Sequence, residues 1–174
     1  MLKLTGTNTY LRALELSDLE FLYLLENDTK IWEISGTVTP YSKKTLQLYL
    51  DNAHRDIYEV KQLRLCICTK DDKAIGLVDI FDFDHKNLRA GLGIVVLDEE
   101  DRGKGIGEDA LRIVIDYAFS VLNLHQLYAN ILESNNSSKG LFKRLGFEEV
   151  GVKQDWVYLG GTFENEILYQ KIKS

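Results

Sequence analysis

One proline and two cysteines in 174 residues set limits before any pattern is read. With so little proline and no Pro/Gly/Ser-rich stretch, the chain offers no linker at which to divide it, and its length suits one domain that buries a core without cross-links. Cys66 and Cys68 stand two apart in RLCICT. In an extended segment that spacing puts both on one face, which is neither a redox motif nor a metal-ligand pair. His54, His85 and His125 are scattered without ligand spacing, so no metal site is expected. No apolar run approaches the roughly 20 residues of a membrane span. MLKLTGTNTY also lacks the apolar core of a signal peptide, so a cytoplasmic protein without membrane contact is expected. A run of lysine or arginine is missing too: 21 basic residues stand against 27 acidic ones, a formal net charge of −6. Nothing there tracks a phosphate backbone, and nucleic acid is not an expected partner. The acidity modestly favours cationic small molecules by steering.

What is present is clear punctuation of helices and strands. Thr9 to Ala13 reads as a short strand. In SDLEFLYLLEN, Ser17 and Glu20 have capping-box spacing ahead of an amphipathic stretch, which predicts a helix. YSKKTLQLYLDNAHRD, from Tyr41, gives a second helix, and the segment between them, with Trp32, Gly36 and Pro40, reads as a loop. RLCICT, KDDK and AIGLVDIFDF form a strand, a charged turn and a second strand. After DHKN, RAGLGIVVL carries the near-continuous apolar run of a strand covered on both faces. A helix follows from Gly105, with apolar residues at Ile106, Ala110, Ile113, Val114, Tyr117 and Val121. Then come a strand at QLYANIL, a helix at SSKGLFKRL and a hairpin, VGVKQDWVYL and TFENEILYQKI joined by Gly-Gly. The sum is an α+β fold: a mixed, mostly antiparallel sheet of six or seven strands, about four helices and one βαβ crossover across the glycine-rich loop.

That loop raises the functional question. DRGKGIGEDALRIVIDYAF, residues 101 to 119, places three glycines in five positions directly before the most regular apolar pattern in the chain. A strand ending at Leu97, a loop of small residues and a helix starting near Gly105 aim unpaired backbone N–H groups and a helix dipole at one point. Such an arrangement binds phosphate. Glycine suits it because a Cβ would hold the anion off the backbone and because nests of N–H groups need unusual φ values. Two familiar phosphate loops fit badly. The Walker A loop requires a lysine followed by Ser or Thr at the helix start, and the Rossmann GxGxxG opens a parallel sheet, whereas this GxGxG follows antiparallel-type strands.

Arg102-Gly103-Lys104-Gly105-Ile106-Gly107 resembles the R/Q-x-x-G-x-G/A signature of the GCN5-related N-acetyltransferase (GNAT) family, whose loop holds the pyrophosphate of acetyl-coenzyme A. Asn135 and the helix ending KRLGF, Lys143 to Phe147, resemble the family's second cofactor segment, one crossover helix and one strand downstream. The opening YLRALELSDLEFLYLLEN and the closing GGTFENEILYQKI resemble the ends of the subgroup that contains spermidine acetyltransferases and ribosomal-protein alanine acetyltransferases. The resemblance covers essentially the whole chain, 1–174, as one acetyltransferase domain. It implies a GNAT fold in which RAGLGIVVL, the fourth strand, splays from the fifth, QLYANIL, with the pantetheine arm between them, paired near Val95, Val96 and Leu97. It further implies the Val96 N–H as an oxyanion donor, a type of contact worth roughly 3 kcal/mol of barrier. Arg102 opens the signature, and backbone amides of Gly103, Lys104, Gly105, Ile106, Gly107 and Glu108 would take the pyrophosphate. Asn135 would hold the pantetheine side. Lys143 either approaches the phosphates or is a solvated helix lysine.

An alkylamine with a pKa near 10.4 costs roughly 4 to 5 kcal/mol to deprotonate at pH 7, so a base or a water chain must help. The family's usual acid for the leaving thiolate is a tyrosine one residue before the K-R/K-L-G-F tail, and Phe142, which cannot donate a proton, stands there. Ribosomal-protein acetyltransferases that lack the tyrosine use a serine three residues after the asparagine; Ser138 has that position, where a serine also serves simply as a cap. For the base, Asp155 lies two residues from Val157, where the serine-using relatives carry a carboxylate, and Glu133 near the end of the fifth strand is the other candidate. Both also fit as solvated edge residues. The acceptor would be read by the loop from Lys30 to Tyr41 and by the C-terminal hairpin with Trp156 and Tyr158, with Glu26, Asp28 and Glu33 as carboxylates for a polyamine. The expected function is transfer of an acetyl group from acetyl-CoA, by direct attack, to a primary amine: a polyamine such as spermidine or spermine, or a protein N-terminus. The alternative is a non-catalytic acetyl-CoA-binding or regulatory module whose acid has degenerated to Phe142. No flavin or other nucleotide is implied; the sequence leaves the oligomeric state open, a homo-oligomer being one alternative because the spermidine acetyltransferases it resembles assemble.

Overall fold

The alternation in β2 (Leu63–Thr69) sets the layering of the computed structural model, which describes residues 4–174. Leu65 and Ile67 pack into one apolar cluster with a long helix, Ile106–Ser120, while Cys66 and Cys68 join Leu22, Leu25, Ile31, Leu46 and Leu50 in another. Successive side chains of a strand point to opposite faces, so helices cover the sheet on both sides. The two thiols lie 3.7 Å apart on one face, fully buried, as their spacing predicts.

The sheet has seven strands among the described residues: β1 (Thr9–Ala13), β2, β3 (Ala74–Asp84), β4 (Arg89–Val96), β5 (Gln126–Leu132), β6 (Glu148–Leu159) and β7 (Thr162–Ile172). Their order is β1-β2-β3-β4-β5-β7-β6, and every neighbouring pair is antiparallel except β4 and β5. Gly160 and Gly161 turn the last hairpin with φ of +55° and +90°, values that suit glycine.

Among the described residues six α-helices stand where the sequence pattern suggests about four: α1 (Leu19–Glu26), α2 (Thr29–Ser35), α3 (Lys43–Asp51), α4 (Ile57–Val60), α5 (Ile106–Ser120) and α6 (Asn136–Arg144). The segment read as a loop is therefore half helix. Asp28 accepts the Lys30 N–H to start α2, Ile31 is buried, and Gly36 ends it at φ +73°. Two turns are too short for a period to show. The capping of α1 also differs from the Ser17–Glu20 expectation. Asp18 accepts the Glu15 N–H at 2.8 Å and grips Arg12 through both oxygens, whereas Glu20 pairs with Lys43. Burial alone would raise the Asp18 carboxyl, but the Arg12 guanidinium and the Glu15 amide outweigh it and hold it below the usual range. On α5 the expected stripe is buried except at Tyr117, which is half-buried, and at Val121, which caps the helix on the surface while Leu122 and Leu124 enter the core.

The parallel pair is short. β4 and β5 meet only at Arg89–Gln126, Ala90–Leu127 and Gly91–Tyr128. Beyond that point β4 stays with β3 as far as Val96 and β5 stays with β7 as far as Leu132, so the two strands part. The ring of Phe81 crosses the last pair. A Cβ on Gly91 would lie 2.2 Å from it, and the same ring meets Tyr128 edge-on at 5.9 Å between centroids.

Candidate active site

The opening between β4 and β5 is lined by backbone. Leu97 donates its N–H to the Ile75 carbonyl at 2.9 Å. Alternation along an antiparallel pair then turns the N–H groups of Val96 and Ile94 to the opposite edge, the one β5 has left. Helix α5 begins close by. Its N-cap, Gly105, has φ +76° and accepts the Asp109 N–H at 2.9 Å, so Ile106, Gly107 and Glu108 precede the first intrahelical bond and their N–H groups meet no acceptor among the described residues. Gly103 is also left-handed, at φ +73°, and nothing lies within 4 Å of a Cβ built on either glycine. Backbone conformation, not crowding by the protein, demands glycine at both. Arg102 folds back from the loop, its Nε and Nη2 donating to the Val96 carbonyl at 3.2 and 2.9 Å. A cleft of about 260 Å³ collects these groups.

Both acids of the first α5 turn are engaged. Asp109 accepts the N–H groups of Thr7, Asn8 and Thr9 at 2.9 Å and the Thr9 hydroxyl at 2.8 Å, which fastens the segment before β1 to the helix. Burial alone would raise its carboxyl, but these donors outweigh it and hold the group below its ordinary value. Glu108, on the cleft, accepts from Arg112 and Arg144, and both guanidinium groups hold its carboxyl low.

Helix α6 supplies the other wall. The Asn135 side chain caps it, accepting the Ser138 N–H at 3.1 Å, so the cap is the asparagine and the Ser138 hydroxyl is not used for it. Asn135, Ser137, Ser138, Leu141 and Arg144 line the cleft. Ser137, Leu141 and Arg144 are spaced four and three apart, one helical face. Lys143 lies off that stripe and does not line the cleft, so the cation that α6 contributes to it is Arg144, one residue on. The helical period was the signal that singles it out. Phe142 is buried, its ring edge-on to Phe147 at 5.0 Å between centroids.

Of the cofactor residues expected from sequence, Val95, Val96, Arg102, Gly103, Gly105, Gly107, Glu108, Asn135 and Ser138 come together in this cleft. Leu97, Lys104 and Ile106 do not line it with their side chains: Leu97 packs on the α1 face of the sheet, Lys104 is exposed, and Ile106 is in the core. Ile34 of α2 reaches the cleft unforeseen.

The base candidates stand apart from it. Asp155 sits on a β6 irregularity at φ +49°, and its N–H donates to the Asn165 side-chain oxygen at 3.0 Å. The Asn165 amide nitrogen in turn donates to Glu133 at 3.0 Å. Neither carboxylate lines the cleft; Asn165 bridges the Glu133 carboxylate to the Asp155 backbone N–H, and Glu133 lies two residues from Asn135 along the chain. On the acceptor side, Glu26 and Asp79 are tied to Arg64 at 2.6 and 2.7 Å, and Asp28 caps α2. Glu33 remains exposed. Trp156 and Tyr158 are 60 % and 64 % exposed, Tyr158 resting against Phe163.

Comparison with known proteins agrees with this geometry. Residues 8–148 match the family described as the acetyltransferase (GNAT) domain. A spermidine N(1)-acetyltransferase of Escherichia coli K12 is 29 % identical over 157 residues, covering 90 % of this chain and 82 % of that protein. A putative ribosomal N-acetyltransferase of Bacillus subtilis is 30 % identical over 103 residues, covering 59 % and 56 %. Among solved structures, a spermidine N-acetyltransferase of Vibrio cholerae in complex with CoA and spermine superposes with a TM-score of 0.85 at 25 % identity, covering 94 % of this chain and 95 % of that one.

Proposed function

The chain belongs to the GNAT acetyltransferase family, and on that premise we propose that it transfers the acetyl group of acetyl-CoA to a primary amine of a polyamine by direct attack. One observation carries the reading: the Val96 N–H on the edge that β5 has left and the N–H groups of the α5 turn, without acceptors among the described residues, converge on one cleft with Asn135 and Ser138. The residues fit the cofactor. Two left-handed glycines with open space beside them leave room for an anion to approach the backbone, and the dipole of α5 favours it there.

Each group then has a role. The thioester of acetyl-CoA supplies the electrophile and a thiolate leaving group. The Val96 N–H meets the charge that develops on the acyl oxygen, a donor worth roughly 3 kcal/mol. Arg102, bound to the Val96 carbonyl, fixes that stretch of strand edge. The N–H groups from Gly103 to Glu108 hold the pyrophosphate, and Asn135 faces the pantetheine. Ser138, whose hydroxyl is spared from capping, donates to the departing thiolate in place of the tyrosine that Phe142 replaces. One of the two carboxylates, Asp155 or Glu133, takes the amine's proton by way of solvent; Asn165 holds the Glu133 carboxylate and the Asp155 backbone in place.

The polyamine acceptor is supported by the acetyltransferases this chain resembles and by its net charge of −6. Self-association into a homo-oligomer fits the exposed Trp156, Tyr158 and Phe163 of the hairpin. The test is thiol release from acetyl-CoA across spermidine, spermine, peptides with N-terminal alanine or serine, aminoglycosides and free amino acids. Turnover with spermidine or spermine is expected. Turnover confined to a peptide would move the acceptor to protein N-termini, and cofactor binding without turnover on any amine would sink the enzymatic reading.

A further inference from the structure

Lys153 approaches the β4–β5 opening from the face of the sheet away from α5. Ile131 and Ile167 belong to the apolar cluster of α5, so alternation turns Asn130 of β5 and Glu166 of β7 to the opposite face. Lys153 of β6 pairs with Glu166 in register. Its ammonium lies against three groups: the Glu166 carboxylate, Oδ1 of Asn130 at 3.2 Å and the Trp156 ring, 4.9 Å from the centroid. To reach Asn130 the side chain crosses the whole of β7. Of the lysines that hydrogen-bond through their ammonium among the described residues, it alone bonds to β5. The pair is also sheltered: the two side chains are 31 % and 17 % exposed, against 71 % and 66 % for Lys30 and Glu99.

Height along the strands relates this ammonium to the acyl group. Four residues on from the last β4–β5 pair, Gly91–Tyr128, the strands have reached Val95 and Leu132, next to the Val96 N–H assigned to the acyl oxygen. Glu166 is the β7 partner of Leu132 and so stands at that height. Resting on the cofactor reading of the cleft, we propose that the chain acetylates itself on Lys153, with Nζ as the nucleophile and acetyl-CoA as the donor. Rotation about the outer bonds of the lysine carries Nζ from Asn130 into the opening that β5 borders. Glu166 takes a proton from the ammonium, and the nitrogen lone pair attacks the thioester carbon. A C–N bond forms, and the C–S bond breaks with its electron pair on sulfur. Of the two protons that the ammonium gives up in becoming an amide, one ends on the coenzyme A thiolate and the other leaves through Glu166 to solvent. Tethering the amine beside the thioester replaces a bimolecular encounter with a unimolecular step. The product carries one positive charge fewer on the acceptor side.

The test incubates the whole chain with acetyl-CoA and no added amine and follows its peptides by mass spectrometry, with thermal melting to confirm that each variant folds. Lys153 is expected to gain one acetyl group about tenfold faster than any other lysine, at a rate per molecule that dilution of the protein leaves unchanged. Glu166→Gln, which keeps the shape but cannot take the proton, should slow the gain about tenfold or more. An unchanged rate there overturns the role given to that carboxylate. Gly105→Val, on a different element, removes the proposed anion site and should bring Lys153 down to the rate of the other lysines. A rate that survives Gly105→Val is direct chemical acetylation and overturns the proposal. So does Lys153 left unmodified while spermidine is acetylated, or a rate that falls in step with dilution. Failure of the unaltered chain to bind acetyl-CoA would instead overturn the reading of the cleft itself.

Discussion

The two sides of the β4–β5 opening are built from different materials. On the α5 side the proposed working groups are backbone N–H groups, set in place by a strand edge and a helix terminus. On the acceptor side they are side chains borne by a two-turn helix and a long edge hairpin, and several candidates there are already engaged: Glu26 with Arg64, Asp28 as a cap. A backbone site is fixed once its local conformations are fixed. A side-chain site depends on which distant strands pair and in what register.

The sharpest way to break that comparison is at Gly105. A β-branched residue forced to φ +76° pays roughly 1–2 kcal/mol or more in backbone strain, or else moves the first turn of α5. Gly105→Val is expected to weaken acetyl-CoA binding by more than about 100-fold while the rest of the sheet stays folded. Titration of the cofactor reads it. Retained binding would mean that the α5 turn is not the anion site.

Next in size is Ser138→Ala, which probes a side-chain role on the backbone-built side. Loss of a positioned acid costs about 100-fold in kcat, with little change in the KM for acetyl-CoA. Unchanged turnover at saturating substrates would take the acid role from Ser138. The structure already separates it from capping, because Asn135 fills the cap.

These two predictions follow the line between what was legible in the sequence and what was not. The strands β1 and β5, the left-handed Gly-Gly turn and the α5 turn could be read because each rests on local signals: alternation, a positive φ, a run of glycines before a 3.6-residue period. The helix α2 reads as a loop in the sequence because two turns carry too little period, and Ile34, which it brings to the cleft, has no signal of its own. Arg144 lines the cleft because it shares a helical face with Ser137 and Leu141, a signal the motif at Lys143 does not carry. Asp155 was placed by counting along β6, and the irregularity between Lys153 and Val157 turns such a count away from a fixed face. Asn165, which joins both base candidates, carried no local signal at all. Only the β5–β7 register brings it to Glu133.

A smaller effect tests how the backbone site is anchored. Asp109 has its carboxyl held below the usual value by the donors of residues 7–9, so its folded pKa is depressed. The stability this contributes is complete above the unfolded value near 3.9 and is lost as the pH falls through the folded value. Asp109→Asn is expected to lower stability by about 1–2 kcal/mol at pH 7, and the gap to the unaltered chain should narrow as the pH drops below about 4. Thermal melting at a series of pH values checks it. A gap independent of pH would show that the carboxylate charge is not what fastens the segment before β1 to α5.

The least disruptive change is also the most informative about why the loop is glycine-rich. Gly107 lies within α5, and a Cβ there would meet Leu141 at 3.5 Å and Ile94 at 3.6 Å, ordinary van der Waals distances. Alanine is the better helix former by about 1 kcal/mol. Gly107→Ala should therefore raise stability slightly and shift acetyl-CoA binding by no more than about threefold in either direction. Set beside Gly105→Val, it separates two reasons for a glycine: a backbone conformation that other residues resist, and space for a ligand against the backbone. If Gly107→Ala damages binding as severely as Gly105→Val, the bound anion presses on the helix at residue 107, and ligand approach selects glycine throughout the loop. If binding survives, conformation at Gly105 builds the anion site, and an alanine methyl two residues on is no obstacle to it.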